Sequence, residues 1–310
     1  MKNKVIIVCG PTASGKTALS ISLAKQLNAE IVSCDSMQIY KEMNIGTAKP
    51  DMVERDGVLH HMMDIVSVVD EYNVSKFVAD ARACIDSIFK KGKNVIIVGG
   101  TGMYVDSLIE NVNFFEFEND EQYRNELLQI SNERGGQALL DMLRDVDPES
   151  AQRLHSNDVK RIIRSLEVYK VTGKTQTQLH IESKQNRIYD PIYVAINYND
   201  RQKLYDRINK RVDIMIENGL VDEAKSIKDL SLSKTARAAI GYYDIFDYLD
   251  GALSLEQACE NIKQKSRNYA KRQITWFKRN PETKWFIADS YDCSQQMFEH
   301  VYDYILSKLR

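Results

Sequence analysis

The feature that most constrains this chain is a run near its start, Gly10-Pro11-Thr12-Ala13-Ser14-Gly15-Lys16-Thr17. It follows the apolar segment Val5-Ile6-Ile7-Val8-Cys9 and opens a helical pattern over residues 17–27. A G-x-x-x-x-G-K-[ST] run between a strand and a helix is a P-loop. Consecutive backbone N–H groups wrap an anion at the positive end of the helix dipole. Lys16 adds a point charge, and the Thr17 hydroxyl can ligand Mg²⁺. A chance glycine turn could carry the same letters, but with strand and helix both in place the phosphate reading is favoured. Residues 10–17 are therefore expected to hold a phosphate or diphosphate, as in nucleotide-binding and ATP-binding proteins.

A strand that feeds a P-loop belongs to a parallel sheet, and the rest of the chain agrees. Val95-Ile96-Ile97-Val98 is a second short apolar run ending in glycine, as suits a strand buried on both faces. Residues 30–34, 193–196 and 285–287 are further strand candidates. Helical patterns fill residues 17–27, 75–91 and 201–218. The alternation predicts an α/β fold with right-handed crossovers: a P-loop NTPase-like parallel sheet core. Residues 116–187 read differently, with helix-spaced leucines (Leu127, Leu128, Leu139, Leu140, Leu143) and few β-branched runs. We expect a helical insertion domain at 116–187 in a core made of 1–115 and 188–310 with C-terminal helices, where Leu255 to Trp276 is again helical.

Composition limits the function classes. Hydrophobic residues make up 43% and charged residues 28% of the 310, the mix of a globular protein. No apolar run approaches the length of a membrane helix, and Val5 to Cys9 is too short for a signal-peptide core. A cytoplasmic protein with no membrane contact is expected, and no obligate protein partner is evident. The five cysteines include no C-x-x-C pair, so they are read as small buried apolar residues rather than zinc ligands or disulfides. The formal charge is −2, which argues against a protein coated in basic residues. Residues 261–281 nevertheless contain no acid, while Lys263, Lys265, Arg267, Lys271, Arg272, Lys278 and Arg279 all fall there. Such a segment can bind a polyanion.

What is missing near the P-loop is as informative. Nucleotide-hydrolysing relatives of the motif use an acid at the end of a neighbouring strand to hold Mg²⁺. Here the run 95–98 ends in Gly99-Gly100-Thr101-Gly102, and the acid, Asp35, comes instead after the second strand. Ligands sit at the carboxyl ends of parallel strands, so Asp35 and Thr101 are expected to face the P-loop. The alternatives are a helix cap or turn for Asp35 and a turn in a glycine-rich loop for Thr101. Arg161 and Arg164 share a helix face opposite Ile162, Leu166 and Tyr169, and Arg207 and Arg211 flank the stripe Leu204, Ile208, Val212, Met215. Either pair could simply solvate its helix. Arg267, Lys271 and Lys278 fall within about 40° on a helical wheel. Tyr269, Trp276 and Phe277 could stack on bases or fill the core.

These residues together resemble a known family. Gly10–Thr17, Asp35-Ser36-Met37-Gln38, Ile45-Gly46-Thr47-Ala48-Lys49-Pro50 and Gly99-Gly100-Thr101-Gly102 are similar to the N-terminal half of tRNA dimethylallyltransferases. Arg161-Ile162-Ile163-Arg164-Ser165-Leu166-Glu167-Val168-Tyr169, Ala239-Ile240-Gly241-Tyr242 and Ala270-Lys271-Arg272-Gln273-Ile274-Thr275-Trp276-Phe277 extend the likeness in order along the chain. The resemblance implies transfer of a dimethylallyl group from dimethylallyl diphosphate to N6 of the adenosine 3′ of the tRNA anticodon, position 37. It implies that the P-loop holds the donor's diphosphate with Mg²⁺ assisting, which accounts for the absent strand-end acid. Asp35 is then the general base, and Thr101 and Arg211 hold diphosphate oxygens. The anticodon stem-loop is met by Asp35, Ser36, Met37, Gln38, Thr101, Arg124, Lys160, Arg161, Ile162, Ile163, Arg164, Lys271, Arg272, Gln273, Trp276 and Lys278. Lys160 and Lys278 depart from the commoner Gln and Arg of the family, and the cysteine-rich finger of eukaryotic members is not expected. The competing readings are a small-molecule P-loop kinase, an adenylate isopentenyltransferase, and a non-enzymatic RNA-binding module that responds to nucleotide.

Overall fold

The computed structural model describes residues 2–112, 120–183 and 186–310. By its internal contacts the chain forms two compact units, Met1–Ile109 with Ile188–Arg310, and Glu110–Arg187. The expected boundary at 115/116 falls outside the described residues.

The first unit begins with β1 (Asn3–Cys9), α1 (Lys16–Gln26), β2 (Ala29–Ser33), α2 (Met52–Arg55), β3 (His60–His61), α3 (Val74–Lys90), β4 (Asn94–Val98) and α4 (Gly102–Ile109). The second unit consists of α5 (Glu121–Arg134), α6 (Gly136–Val146), α7 (Pro148–Arg153), α8 (Val159–Thr172) and α9 (Gln176–Ser183). The chain then resumes the first unit with β5 (Tyr189–Asn197), α10 (Arg201–Glu217), α11 (Leu220–Ile227), α12 (Tyr242–Leu249), α13 (Leu255–Phe277), β6 (Lys284–Ile287) and α14 (Ser294–Leu309).

All six strands are parallel, in the order β3-β2-β4-β1-β5-β6. The expected α/β class is what forms, with strand ends within a few residues of those read from the sequence. Alternation along β1 divides the core. Ile6 and Val8 join Leu19 and Leu23 of α1 and Val301 and Ile305 of α14 in one cluster. Val5 and Ile7 are equally buried and point to the other side of the sheet. A sheet covered on both faces needs strands that are apolar throughout, and β1 and β4 are such strands.

The topology fixes where a ligand goes. β1 leads away toward β2 on one side, while β4, its neighbour, leads to β5 on the other side. Their diverging connections open a crevice at the carboxyl ends of β1 and β4, the switch point of an open parallel sheet. The P-loop leaves β1 there and Gly99–Thr101 leaves β4.

The second unit has its own core of Leu127, Leu139, Leu140, Leu143, Ala151, Ile162, Ile163 and Leu166. Beside it the partly exposed Arg124 grips the buried Glu167 with two hydrogen bonds of 2.7 Å. Tyr169, expected on the apolar face of its helix, is 38% exposed, one turn beyond the covered part of that stripe. The cysteines also split. Cys9 and Cys34 are buried as expected, but Cys84 and Cys259 are only partly covered and Cys293, just before α14, is exposed.

Candidate active site

The P-loop closes against backbone. Gly10 has φ of 130°, and a Cβ there would lie 2.5 Å from the Ile196 carbonyl of β5, so only glycine lets the loop start so close to the sheet. α1 begins without a side-chain cap at Gly15, leaving its first N–H groups to whatever anion the loop holds. Ser14 Oγ is buried and makes no hydrogen bond. A buried hydroxyl without a partner is costly in a finished interior and fits one that waits for a ligand oxygen.

Two cations are driven into this crevice. Lys16 Nζ donates to the Pro11 carbonyl at 2.6 Å. Burial, reinforced by repulsion from Arg211 and opposed by Asp35, lowers its pKa to about 8. Arg211, from α10, donates to Thr12 Oγ1 at 3.2 Å and to the Ala48 carbonyl at 3.4 Å. Burial holds its pKa below the usual arginine range, opposed by the charges of Asp35 and then Glu54. Arg207, one turn earlier, donates to the Ala13 carbonyl at 2.8 Å from the rim.

Asp35 sits just past β2. Its Oδ1 accepts the Met37 N–H at 2.9 Å and the Gln38 N–H at 3.4 Å, so the carboxylate does cap a turn. It also lines two adjoining cavities, and the cap and site readings are therefore compatible. Thr101 Oγ1 accepts the Ser36 N–H at 3.2 Å, which ties the Gly99–Thr101 loop to the Asp35 turn. The Tyr269 phenol of α13 lies among Asp35, Thr101 and Gln273, and burial pushes its pKa up to about 12.

Three connected spaces result. A small cavity of about 80 Å³ lies between Lys16, Thr17, Asp35, Gly100 and Arg211. A wider cleft of about 830 Å³ runs from the P-loop past Lys49, Arg207 and Lys210. On the inner side a chamber of about 340 Å³ is walled by Met37, Ile208, Val212, Met215, Leu220, Ile240 and Ile262. Thr12, Asp35 and Arg211 line both the small cavity and this apolar chamber. An anion cradle that opens directly into hydrocarbon-sized apolar space suits a phosphorylated ligand with a nonpolar tail.

One wall of the site depends on residues that sequence reasoning missed. Glu223 of α11 accepts the N–H groups of Asn44, Ile45 and Gly46 at 2.8, 2.8 and 2.9 Å and the Tyr242 hydroxyl at 2.7 Å. This carboxylate shapes the loop whose Ala48 carbonyl receives Arg211. The motif 45–50 and Tyr242 were visible as sequence blocks, but nothing local marks Glu223 as the group joining them.

The residues expected to meet RNA divide sharply. Lys160 and Arg161 are exposed on α8, and Lys271, Arg272 and Lys278 are exposed on or just after α13. Ile162 and Ile163 have their side chains in the core of the second unit, because an amphipathic helix must turn one face inward. Arg164 is half-buried, with burial lowering its pKa and Glu167 nearby opposing that. Arg124 is engaged by Glu167. Gln38 accepts from Ser33 Oγ at 3.0 Å and donates to the Thr47 and Ala48 carbonyls, both at 3.3 Å. Trp276 donates to Asp106 at 2.7 Å, and Phe277 is core. Gln273 is buried between the P-loop and Gly100. The acid-free segment is also less free than its sequence suggests, since Asp213 and Glu260 pair with Lys263, and Asp244 pairs with Lys265.

The donor set also bears on a metal ion. Among the described residues no group of three or more His, Cys, Asp or Glu is gathered to hold one. The Thr17 hydroxyl, which lines the same cleft as the unpartnered Ser14, fits a cation that takes its other ligands from a bound diphosphate and water, which is how Mg²⁺ is held in P-loop sites.

Comparison with known proteins agrees with this geometry. The family model described as IPP transferase matches residues 38–280. The chain is 44% identical to the tRNA dimethylallyltransferase of Caldanaerobacter subterraneus subsp. tengcongensis, over 100% of both proteins. It is 44% identical to the same-named protein of Geobacillus thermodenitrificans over 100% of this chain and 98% of the relative. The crystal structure of the full-length tRNA isopentenylpyrophosphate transferase from Bacillus halodurans matches with a TM-score of 0.74 at 41% identity, covering 99% of this chain and 97% of that one. A eukaryotic dimethylallyltransferase, captured acting on tRNA, matches with a TM-score of 0.78 at 29% identity over 98% of this chain and 80% of its own. With a P-loop that opens into an apolar chamber and a match of this extent, the chain belongs to the IPP transferase family.

Proposed function

We propose that this protein transfers a dimethylallyl group from dimethylallyl diphosphate to tRNA, at N6 of the adenosine 3′ of the anticodon, and releases diphosphate. The observation that carries this reading is that Asp35, Thr12 and Arg211 line both the phosphate cavity and the apolar chamber. A kinase needs no hydrocarbon chamber beside its P-loop, and a pure RNA binder needs no carboxylate facing one. The names of the relatives support the same substrate pair.

The chemistry follows from these positions. The N6 lone pair forms a bond to the allylic carbon while the bond from that carbon to the diphosphate oxygen breaks, and the electron pair leaves with the diphosphate. Lys16 and Arg211 meet the charge that builds on the leaving group, in a site where water screens little. Thr17 and the donor's own phosphate oxygens would hold Mg²⁺, which adds to that neutralisation. Asp35 takes the proton that N6 loses. The adenine must leave its loop to reach the chamber, as bases do for enzymes that act on them. Lys160, Arg161, Lys271, Arg272 and Lys278 supply cations for the RNA backbone. A tRNA substrate implies action in the cytoplasm, and among the described residues no helix is long and apolar enough to cross a membrane.

The direct test is to incubate the protein with dimethylallyl diphosphate, Mg²⁺ and an anticodon stem-loop. We expect one dimethylallyl group on the RNA for each diphosphate released, without ATP. Lys16→Ala should end productive use of the donor while stem-loop affinity stays close to that of the wild type. ATP hydrolysis in step with product would instead support the kinase reading.

A further inference from the structure

Gln273 lies on α13 in a block that also carries the exposed Lys271 and Arg272, so its sequence neighbourhood suggests an RNA contact. Its side chain is only 4% exposed. The amide oxygen accepts the Thr12 N–H of the P-loop at 2.8 Å, across 261 positions of sequence. The amide nitrogen donates to the Gly100 carbonyl at 3.1 Å. The donor and acceptor assignments are fixed by the partners, because an N–H needs an acceptor and a carbonyl needs a donor. The surroundings leave no slack. A Cβ on Gly100 would lie 1.9 Å from Gln273 Nε2, and one on Gly102 would lie 2.2 Å from the Trp276 ring one turn further along α13.

We infer that Gln273 is a positioning residue that sets the spacing between the P-loop and the loop after β4, and that through it α13 joins the RNA-facing surface to the donor cradle. The inference rests on the reading of residues 10–17 as a diphosphate site. The two loops leave adjacent strands at the switch point, and without a bridge their separation would depend only on the strand ends. A planar primary amide carries a donor group and an acceptor group in fixed geometry. Asparagine carries the same pair of groups but is one methylene shorter. Because Gln273 is on the same helix as Lys271 and Arg272, a shift of α13 on binding RNA moves the Thr12 N–H and the Gly100 carbonyl with it.

The test compares Gln273→Met and Gln273→Glu with the wild type. It measures the KM for dimethylallyl diphosphate, the affinity for inorganic diphosphate, the affinity for an anticodon stem-loop, and apo melting temperature. Gln273→Met keeps the volume but leaves the Thr12 N–H and the buried Gly100 carbonyl without this partner, so donor KM should rise about tenfold to a hundredfold. Stem-loop affinity should change less than about threefold. Gln273→Glu places an acceptor against the Gly100 carbonyl when ionised but restores a donor when protonated. Its donor KM should therefore improve as pH falls, over a range in which the wild type does not improve. The cavity also holds Lys16, Asp35, His60, Arg211 and Tyr269, and the wild-type profile accounts for their titration. Weakened stem-loop affinity with unchanged donor KM would overturn the inference and make Gln273 an RNA contact. A variant that takes up diphosphate as well as the wild type does would overturn it alone. A wild type that takes up no diphosphate would overturn the donor reading and the inference together. Recovery of Gln273→Glu at low pH separates positioning from a merely structural role even if Gln273→Met melts early.

Discussion

Lys16 and Arg211 lie at the bottom of the crevice with their ordinary pKa values pulled down by burial, whereas Lys271, Arg272 and Lys278 stand in solvent on and after α13. The inner pair faces Asp35, with Glu54 a further carboxylate acting on Arg211, together with the Thr12 hydroxyl and the carbonyls of Pro11 and Ala48. The outer set leans on aromatic rings, Lys271 over Tyr205 at 5.8 Å and Arg272 over Tyr269 at 5.6 Å. Charge that has lost its water acts strongly on whatever enters, and it is held in place by the fold. Charge left in water acts at long range and is weakened by salt. On the proposed reading the same residue types serve leaving-group chemistry inside and capture of a polyanion outside.

The comparison breaks most readily at the carboxylate that balances the inner pair. Asp35→Asn keeps the acceptor that caps its turn but cannot take a proton at neutral pH. We expect kcat to fall by about 10² to 10⁴ with donor and stem-loop affinities little changed. Single-turnover rates with both substrates saturating check this. A variant whose rate returns when donor and Mg²⁺ are raised would make Asp35 a binding group rather than the base.

The pH dependence of the inner pair gives a smaller effect. With Lys16 lowered from 10.5 to about 8, the folded protein holds fewer protons than the unfolded chain between those values. The cost of burying the ammonium is thus present below about 8, and Lys16 makes the fold more stable as pH rises from there toward 10.5. Diphosphate favours the charged form, so its affinity should be full below about 8 and fall by up to about tenfold per pH unit above it. Calorimetric titration in buffers of different ionisation enthalpy reads the proton taken up. An affinity that is flat across this range would mean that Lys16 stays charged.

The outer set predicts the smallest change. Stem-loop affinity should fall with salt at a log–log slope near −0.7 for each phosphate contacted on single-stranded parts. Replacing Lys271 and Arg272 together by Ala should flatten that slope by about 1.4. An affinity independent of salt would remove the outer half of the comparison.

How far the sequence foretold this arrangement depends on how local each feature is. The P-loop, the apolar strands β1 and β4, and the helices α1, α3, α10 and α13 announce themselves by motif or periodicity within one short window. Asp35 and Thr101 were legible because strand ends collect ligands in this class of fold. Other features join distant segments. Glu223 meets Gly46 across 177 positions, and the partners of Lys265 and Lys263 come from α12 and α10. The two-residue β3 is too short to show any alternation. Gln273 shows the same limit, since its neighbours in sequence point outward while its own side chain spans two loops of the core.

The close approach of α13 to Gly100 and Gly102 has a consequence for how this enzyme could be re-engineered. On that side, any added carbon lands on Gln273 or Trp276. A substitution at either glycine must therefore displace Gln273 or Trp276, so the seam is a poor place to seek altered preference. Neither glycine lines the apolar chamber, and its Met215, Leu220, Ile240 and Ile262 side chains can be trimmed or filled without touching that seam. A campaign to make the protein accept a longer or bulkier allylic donor should spend its library on those four positions and leave the glycine seam untouched.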